Sequence, residues 1–134
     1  MKSIAPASLA GGLAHLSLVT GLSIHQVSAA DEKTRIGTEQ EFREIAVDKE
    51  LVYNNDKGAV TVHGDGTITG TYRGKKLTGT WSWEDGYYCR SVKPGKKDTG
   101  HDCQIVELSG NSLIFIRKKG TGKKSPPNRI EPES

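Results

Sequence analysis

The sequence predicts a mainly β fold, a small antiparallel meander that closes into a barrel or sandwich of about seven strands. Turn signals recur roughly every 8–12 residues, and β-branched and aromatic residues alternate with polar ones between them. The chain has 16 glycines among 134 residues. This is nearly twice the usual share, and because no collagen-like period orders the glycines, we expect them at turns. The length allows one domain and excludes a TIM barrel or a dinucleotide-binding enzyme with a separate substrate domain.

Residues 1–30 are predicted to be a secretory signal peptide. Lys2 is their only formally charged residue, an apolar segment follows it, and small residues precede the first acid, Asp31. A basic start, an apolar centre and an A-x-A-like end are typical of such signals. Cleavage after Ala29 or Ala30 would give a periplasmic or secreted protein; the alternative is a disordered or mildly helical tail. No transmembrane segment is expected, because a span needs about twenty mostly apolar residues.

The rest of the chain is expected to have three parts. Residues 31–37 form a loose polar N-terminus, residues 38–117 form the β domain, and residues 118–134 form a basic, proline-containing flexible tail. The net charge is +3, and the basic residues cluster in the second half of the chain. Such clusters attract phosphate or anionic polysaccharide; the alternative is ordinary solvated charge at turns and in the tail.

A short helix is predicted at the start of the β domain. Thr38 and Glu41 have the spacing of a capping box, in which the two side chains satisfy free backbone N–H groups at a helix start. Phe42 and Ile45 give this helix a small apolar stripe. We therefore expect the helix to plug one end of the sheet.

Seven strands are predicted after the helix, each ended by turn residues. They cover residues 51–53, 59–63, 67–72, 77–83, 87–91, 103–108 and 112–117. Trp81 and Trp83 share one face of the fourth of these strands and are assigned to the core, although they could instead frame a pocket or a partner surface. Gly70 and Gly79 lie inside strands, where glycine often marks a bulge or a close approach of two backbones.

Cys89 and Cys103 are the two cysteines of the chain, and they are predicted to form a disulfide bond. An even number of cysteines in an exported protein favours a bridge, and each cysteine lies on one of two consecutive predicted strands. The alternative, a catalytic or redox-active thiol, lacks the C-x-x-C spacing.

No catalytic residue, metal site or cofactor is predicted. His63 and His101 lack the ligand spacing of a zinc site, and neither a G-x-S-x-G nor an H-E-x-x-H motif is present. The candidates for a surface binding site are basic or aromatic, and they are Tyr88, Arg90, Arg73, Lys75 and Lys76. Tyr88 and Arg90 are predicted to be exposed, on the strand face opposite Cys89.

Part of the chain resembles a group of small exported bacterial single-domain proteins of uncharacterised function. The shared pattern is D-G-T, then G-x-W-x-W-x-D-G-x-x-C-R, then C-Q, found here at residues 65–67, 79–90 and 103–104. The resemblance spans about residues 42–122 and implies export, a disulfide bond and a β fold. Some members are named dihydrodipicolinate reductase, an activity not supported here because no G-x-G-x-x-G follows a predicted strand.

These features favour an exported, monomeric, non-enzymatic binding module. Its ligand would be a protein partner or an anionic polymer of the envelope; nucleic acid is not expected, given export and the modest charge. The alternatives are a small periplasmic enzyme without a recognisable motif and a structural envelope protein. A partly apolar pocket with buried ionisable groups would favour a ligand carrier or an enzyme, whereas a filled barrel would favour partner binding.

Overall fold

The structure is a computed structural model that describes residues 32–53 and 57–132 together with Gly12 and Gly21. The predicted signal peptide, residues 1–30, lies outside the described residues apart from these two glycines. In the described part of the chain, no helix is both long enough and apolar enough to cross a membrane.

The described chain folds into nine strands and one α-helix. In chain order they are β1 (Lys33–Arg35), α1 (Glu39–Ala46), β2 (Glu50–Val52), β3 (Gly58–Val62), β4 (Thr67–Tyr72), β5 (Lys75–Glu84), β6 (Tyr87–Pro94), β7 (His101–Ser109), β8 (Ser112–Ile116) and β9 (Asn128–Glu131). Strands β2 to β9 pair with their neighbours in sequence order, and β9 also pairs with β2. Eight antiparallel strands therefore close a barrel, which confirms the predicted fold class.

The hairpins are built by the turn residues that the sequence shows. Arg73 and Gly74 both have positive φ, 48° and 77°, and Asp85 and Gly86 have φ of 51° and 84°. Positive φ at both central residues is the geometry that suits the right-handed twist of two antiparallel strands. These two turns therefore lead β4 directly into β5 and β5 directly into β6.

Helix α1 closes one end of the barrel. The Thr38 hydroxyl accepts a hydrogen bond from the Glu41 N–H at 3.2 Å, and the Glu41 carboxylate accepts one from the Gly37 N–H at 3.2 Å. The second bond falls one residue earlier than in the predicted capping box. The buried face of the helix consists of Phe42 and Ala46, both 0 % exposed.

An aromatic cluster forms under the helix, around Phe42. Its ring centroid lies 5.3 Å from those of Trp81 and Trp83 and 5.1 Å from that of Tyr88. Trp81 is buried, and its indole N–H donates to the His63 carbonyl at 2.8 Å. Trp83 is partly buried against the same core. The closed end of the barrel is thus filled by large aromatic side chains.

Cys89 of β6 and Cys103 of β7 face each other in the strand register and form a disulfide bond. The predicted bridge is therefore confirmed. The bridge lies on the strand face that carries the exposed residues Ser82 and His101, which is the outer face of the barrel.

The structure differs from the sequence prediction at both ends of the β domain. Residues 31–37 were expected to be loose, but β1 pairs with the second half of β7. Residues 118–134 were expected to be a flexible tail, but β9 completes the barrel between β8 and β2. Both strands are short and polar, with Ile130 as the single apolar residue of β9. Backbone hydrogen bonds join both strands to their neighbours, and Ile130 of β9 packs against the core. Their short, polar sequences give no apolar alternation from which they could be predicted.

Candidate functional site

A cavity of about 820 Å³ lies inside the barrel, at the end away from α1. Lys57, between β2 and β3, and Arg73, between β4 and β5, are exposed residues at its mouth. The volume falls within the roughly 300–1,000 Å³ of small-molecule sites in proteins. The barrel is therefore closed and packed at one end and hollow at the other.

One wall of the cavity is apolar. Strands β2 to β5 contribute aliphatic side chains that point inward, and these are Leu51, Val60, Val62, Ile68 and Leu77. Their positions follow the alternation of inward and outward residues that a barrel imposes. All five are buried, so this wall offers hydrocarbon contacts to whatever occupies the cavity.

The other wall and the mouth are basic. The cationic residues of the lining are Lys57, Arg73, Arg90, Arg117, Lys123 and Lys124. Of these, Arg90 is half-buried, whereas the others are exposed. Aspartate and glutamate are absent from the lining in the described chain. The cavity therefore combines an apolar surface with positive charge.

Arg90 lies in the middle of β6 with few protein partners. One of its terminal nitrogens donates to the Thr99 hydroxyl at 3.4 Å. Its neighbour across the strands is Asp102, but that carboxylate accepts hydrogen bonds from the Gln104 amide at 2.9 Å and the Lys118 backbone N–H at 3.1 Å. No ion pair joins Arg90 to a carboxylate of the described residues. Burial lowers the pKa of the Arg90 guanidinium, which nonetheless stays charged.

Two phenols accompany Arg90. Tyr88, two residues earlier on β6, is 6 % exposed, and Tyr53 directly follows β2. Tyr88 thus lies beside Arg90 on the same strand, whereas Tyr53 follows a strand four places away from β6 in the ring of eight. Burial raises the pKa of both phenols, and the positive charge of Arg90 partly offsets this effect.

The structure places three of the five predicted site residues in the cavity lining. Arg73 lies at the mouth, and Tyr88 and Arg90 lie inside. The prediction that Tyr88 and Arg90 are exposed is wrong, because the disulfide occupies the outer face and the opposite face is the interior. Lys75 and Lys76 are exposed on β5 and do not belong to the lining.

Sequence reasoning missed the contribution of the C-terminal segment. Arg117, Lys123 and Lys124 line the mouth. The sequence predicts Arg117 at the end of the last strand, whereas Lys123 and Lys124 belong to the segment predicted to be a tail. A bridge between Ile116 and Lys124 and a hydrogen bond from the Arg117 N–H to the Lys123 carbonyl, at 3.1 Å, hold this segment against the barrel. The basic cluster was visible in the sequence, but its folding back was not.

A possible metal-binding cluster lies on the outer face. Glu84, Cys89, His101 and Cys103 have potential ligand atoms within 4.8 Å of one another. A metal is bound by the thiolate form of cysteine, and both sulfur atoms are covalently paired here. With the disulfide intact, the cluster retains one imidazole and one exposed carboxylate, which is fewer ligands than a zinc site uses.

The two histidines of the barrel lie far apart in its topology and outside the cavity lining. The His63 ring is hydrogen-bonded to the Thr69 hydroxyl at 2.6 Å, and the His101 ring to the Ser91 hydroxyl at 3.1 Å. The second pair borders an open depression on the outer face. Both rings thus have local partners on the barrel surface.

No protein-family model matches this chain, and neither a curated protein nor a solved structure shows significant similarity to it. The cavity, with its apolar wall and its cationic groups, is therefore the feature from which a function can be inferred.

Proposed function

We propose that this protein is an exported, non-enzymatic binding module that holds a small, largely apolar ligand inside its barrel. The cavity of about 820 Å³, open at one end and walled by aliphatic side chains, is the observation that carries this proposal. Sites for small molecules are concave, mostly apolar and supplied with a few polar groups that orient the ligand. One chain suffices for such a role, because a single barrel encloses the whole cavity.

Binding fits the lining better than catalysis does. Its charged groups in the described chain are arginines and lysines, whereas general acid–base catalysis usually relies on histidine or a carboxylate. The imidazoles of His63 and His101 are engaged on the barrel surface. This supports a carrier or sensor over the small enzyme that the sequence left open.

Export belongs to the same proposal. Residues 1–30 have the charge and apolar pattern of a secretory signal, and a disulfide bond is typical of oxidising compartments. The resemblance to small exported bacterial proteins points the same way. We expect the ligand to be met in the periplasm or outside the cell.

The proposal is tested with N-phenylnaphthylamine, a neutral apolar dye whose fluorescence rises when it leaves water. Val60→Trp places a large side chain in the cavity, and Thr61→Trp places the same side chain on the other face of β3. We expect the unaltered protein and Thr61→Trp to bind the dye, and Val60→Trp to bind it at least about tenfold more weakly, because an occupied cavity loses apolar contact area.

Thermal unfolding shows whether each variant is folded, and Leu77→Phe serves as a second filled variant if Val60→Trp does not fold. Equal dye binding by the filled variants and Thr61→Trp would place the dye elsewhere on the protein. That result, or the absence of dye binding by the unaltered protein, would overturn the proposal.

A further inference from the structure

The cavity contains a cation, Arg90, that makes no ion pair within the described residues, although the carboxylate of Asp102 attracts it electrostatically. Arg90 is half-buried, and the carboxylate closest to it in the strand register, Asp102, is hydrogen-bonded by Gln104 and the Lys118 N–H. Burying a charge is costly unless it is paired. A ligand that brings an anion to Arg90 would offset this cost, whereas a neutral ligand would not.

Another positive charge and a hydrogen-bond donor line the cavity together with Arg90. Arg117, directly after β8, also lines the cavity, and its positive charge opposes that of Arg90. Tyr88 is buried and lines the cavity, and within the described residues its hydroxyl has no hydrogen-bond partner. Guanidinium groups and phenols are donors suited to a carboxylate or a phosphate, and arginine can bind either through two parallel hydrogen bonds.

The apolar wall defines the remainder of the ligand. Leu51 and Val60 lie on β2 and β3, across the ring from β6, and Leu77 lies on β5, the neighbour of β6. From Tyr88 to Pro94, β6 advances six residues, which corresponds to about 15 Å along a barrel with typical strand tilt. A hydrocarbon chain can lie along this wall while its polar end reaches the arginines.

We propose that the ligand is a single-chain anionic amphiphile whose carboxylate or phosphate binds between Arg90 and Arg117, with its chain against the apolar wall of β2 to β5. This inference rests on the proposed function and adds the ligand class and the orientation. The basic residues at the mouth, Lys123 and Lys124, attract the anion on its way in. Arg90, further inside, and Arg117, at the mouth, then hold it.

The test compares ligands of one chain length below their micelle concentrations, using protein purified from cells that express the full chain. Displacement of N-phenylnaphthylamine and isothermal titration give the affinities. We expect dodecanoate or dodecyl phosphate to bind about tenfold or more tightly than dodecanol, since a charge-assisted hydrogen bond is stronger than a neutral one. The stronger of the two identifies the head group as a carboxylate or a phosphate.

Arg90→Met is the decisive variant, and Lys93→Met is its matched control on the same strand but the outer face. We expect Arg90→Met to abolish the preference for anions, to keep its affinity for the neutral dye, and to unfold at the same or a higher temperature. A merely structural role of Arg90 would instead lower the unfolding temperature. Lys93→Met should behave as the unaltered protein.

Two outcomes would overturn the inference while leaving the proposed function intact. Dodecanol binding as tightly as both anions would show that the charge of Arg90 is not used. An anion preference that survives Arg90→Met would place the anion at the mouth instead. Failure of the neutral dye to bind at all is a separate result, because it contradicts the interior site itself.

Discussion

Burial inside the barrel raises the pKa of the Tyr88 phenol far above its ordinary value of 10.0. The unfolded chain loses this proton near pH 10, whereas the folded protein keeps it. The protonated Tyr88 phenol therefore contributes fully to the free energy of unfolding below about pH 10. Above this pH its contribution declines, by up to about 1.4 kcal/mol per pH unit.

Tyr88→Phe should remove this decline. We expect the variant to match the unaltered protein near neutral pH, where the phenol has no hydrogen bond to lose, and to be the more stable protein at about pH 11. Urea unfolding of both proteins at the two pH values measures the difference. All other titrating groups are common to the pair, so identical pH dependence would mean that the hydroxyl is not buried in the folded state.

The residues of β6 show how much of the candidate site could be predicted from the sequence. Alternation along β6 places Tyr88 and Arg90 on one face and Cys89 on the other, as the structure shows. The alternation does not show which of the two faces is inside the barrel, because each face of β6 carries both polar and apolar side chains. A half-buried arginine in a cavity runs against the usual pattern of apolar interiors. Functional sites are where such departures are expected.

At the scale of elements, the disulfide joins β6 to β7 across a sequence separation of 14 residues. Closing a loop of this size stabilises a fold by about 3 kcal/mol through the lost entropy of the unfolded chain. Cys89→Ser and Cys103→Ser should each cost this amount, equally, because each removes the same bond. Urea unfolding of both variants gives the values. A large inequality would show that one of the thiols has a role of its own.

Strand β9 closes the barrel, although its sequence suggests a tail. Deleting residues 128–134 should leave β2 and β8 with unpaired edges and expose the core beside Leu113, so we expect a protein with a lower unfolding temperature and a tendency to aggregate. Deleting only residues 132–134, beyond the strand, is the matched control and should change little. Thermal unfolding and size-exclusion chromatography compare the two. Equal stability of both truncations would mean that β9 is dispensable.

The other seven strands were predictable because each carries at least two signals, an alternation of side chains and a turn at its end. The turns at Arg73-Gly74 and Asp85-Gly86 show the value of the second signal, since each contains a glycine, which adopts positive φ without steric cost, and all four residues have positive φ. Strands β1 and β9 carry neither signal. Their position depends on edges created by the remainder of the barrel, which is long-range information that a local pattern does not contain.

At the scale of the whole molecule, the barrel divides into a packed end and a hollow end. Phe42 fills the first together with Trp81, Trp83 and Tyr88, while the cavity occupies the second. Phe42→Ala should therefore cost about 3–5 kcal/mol, typical of a phenylalanine removed from a dense core. This is a large part of the roughly 5–15 kcal/mol that stabilises an ordinary domain.

Val92→Ala tests the hollow end. Val92 is half-buried on β6 and lines the cavity, so its removal enlarges a space that already exists and should cost less than half as much as Val106→Ala, the same deletion at a fully buried residue outside the lining. Urea unfolding followed by tryptophan fluorescence measures both, because Trp81 and Trp83 report directly on the packed end. If the two substitutions cost the same, the barrel is packed throughout, and an interior ligand has no room. If they differ as expected, stability resides at the helix end, and the opposite end is free to bind.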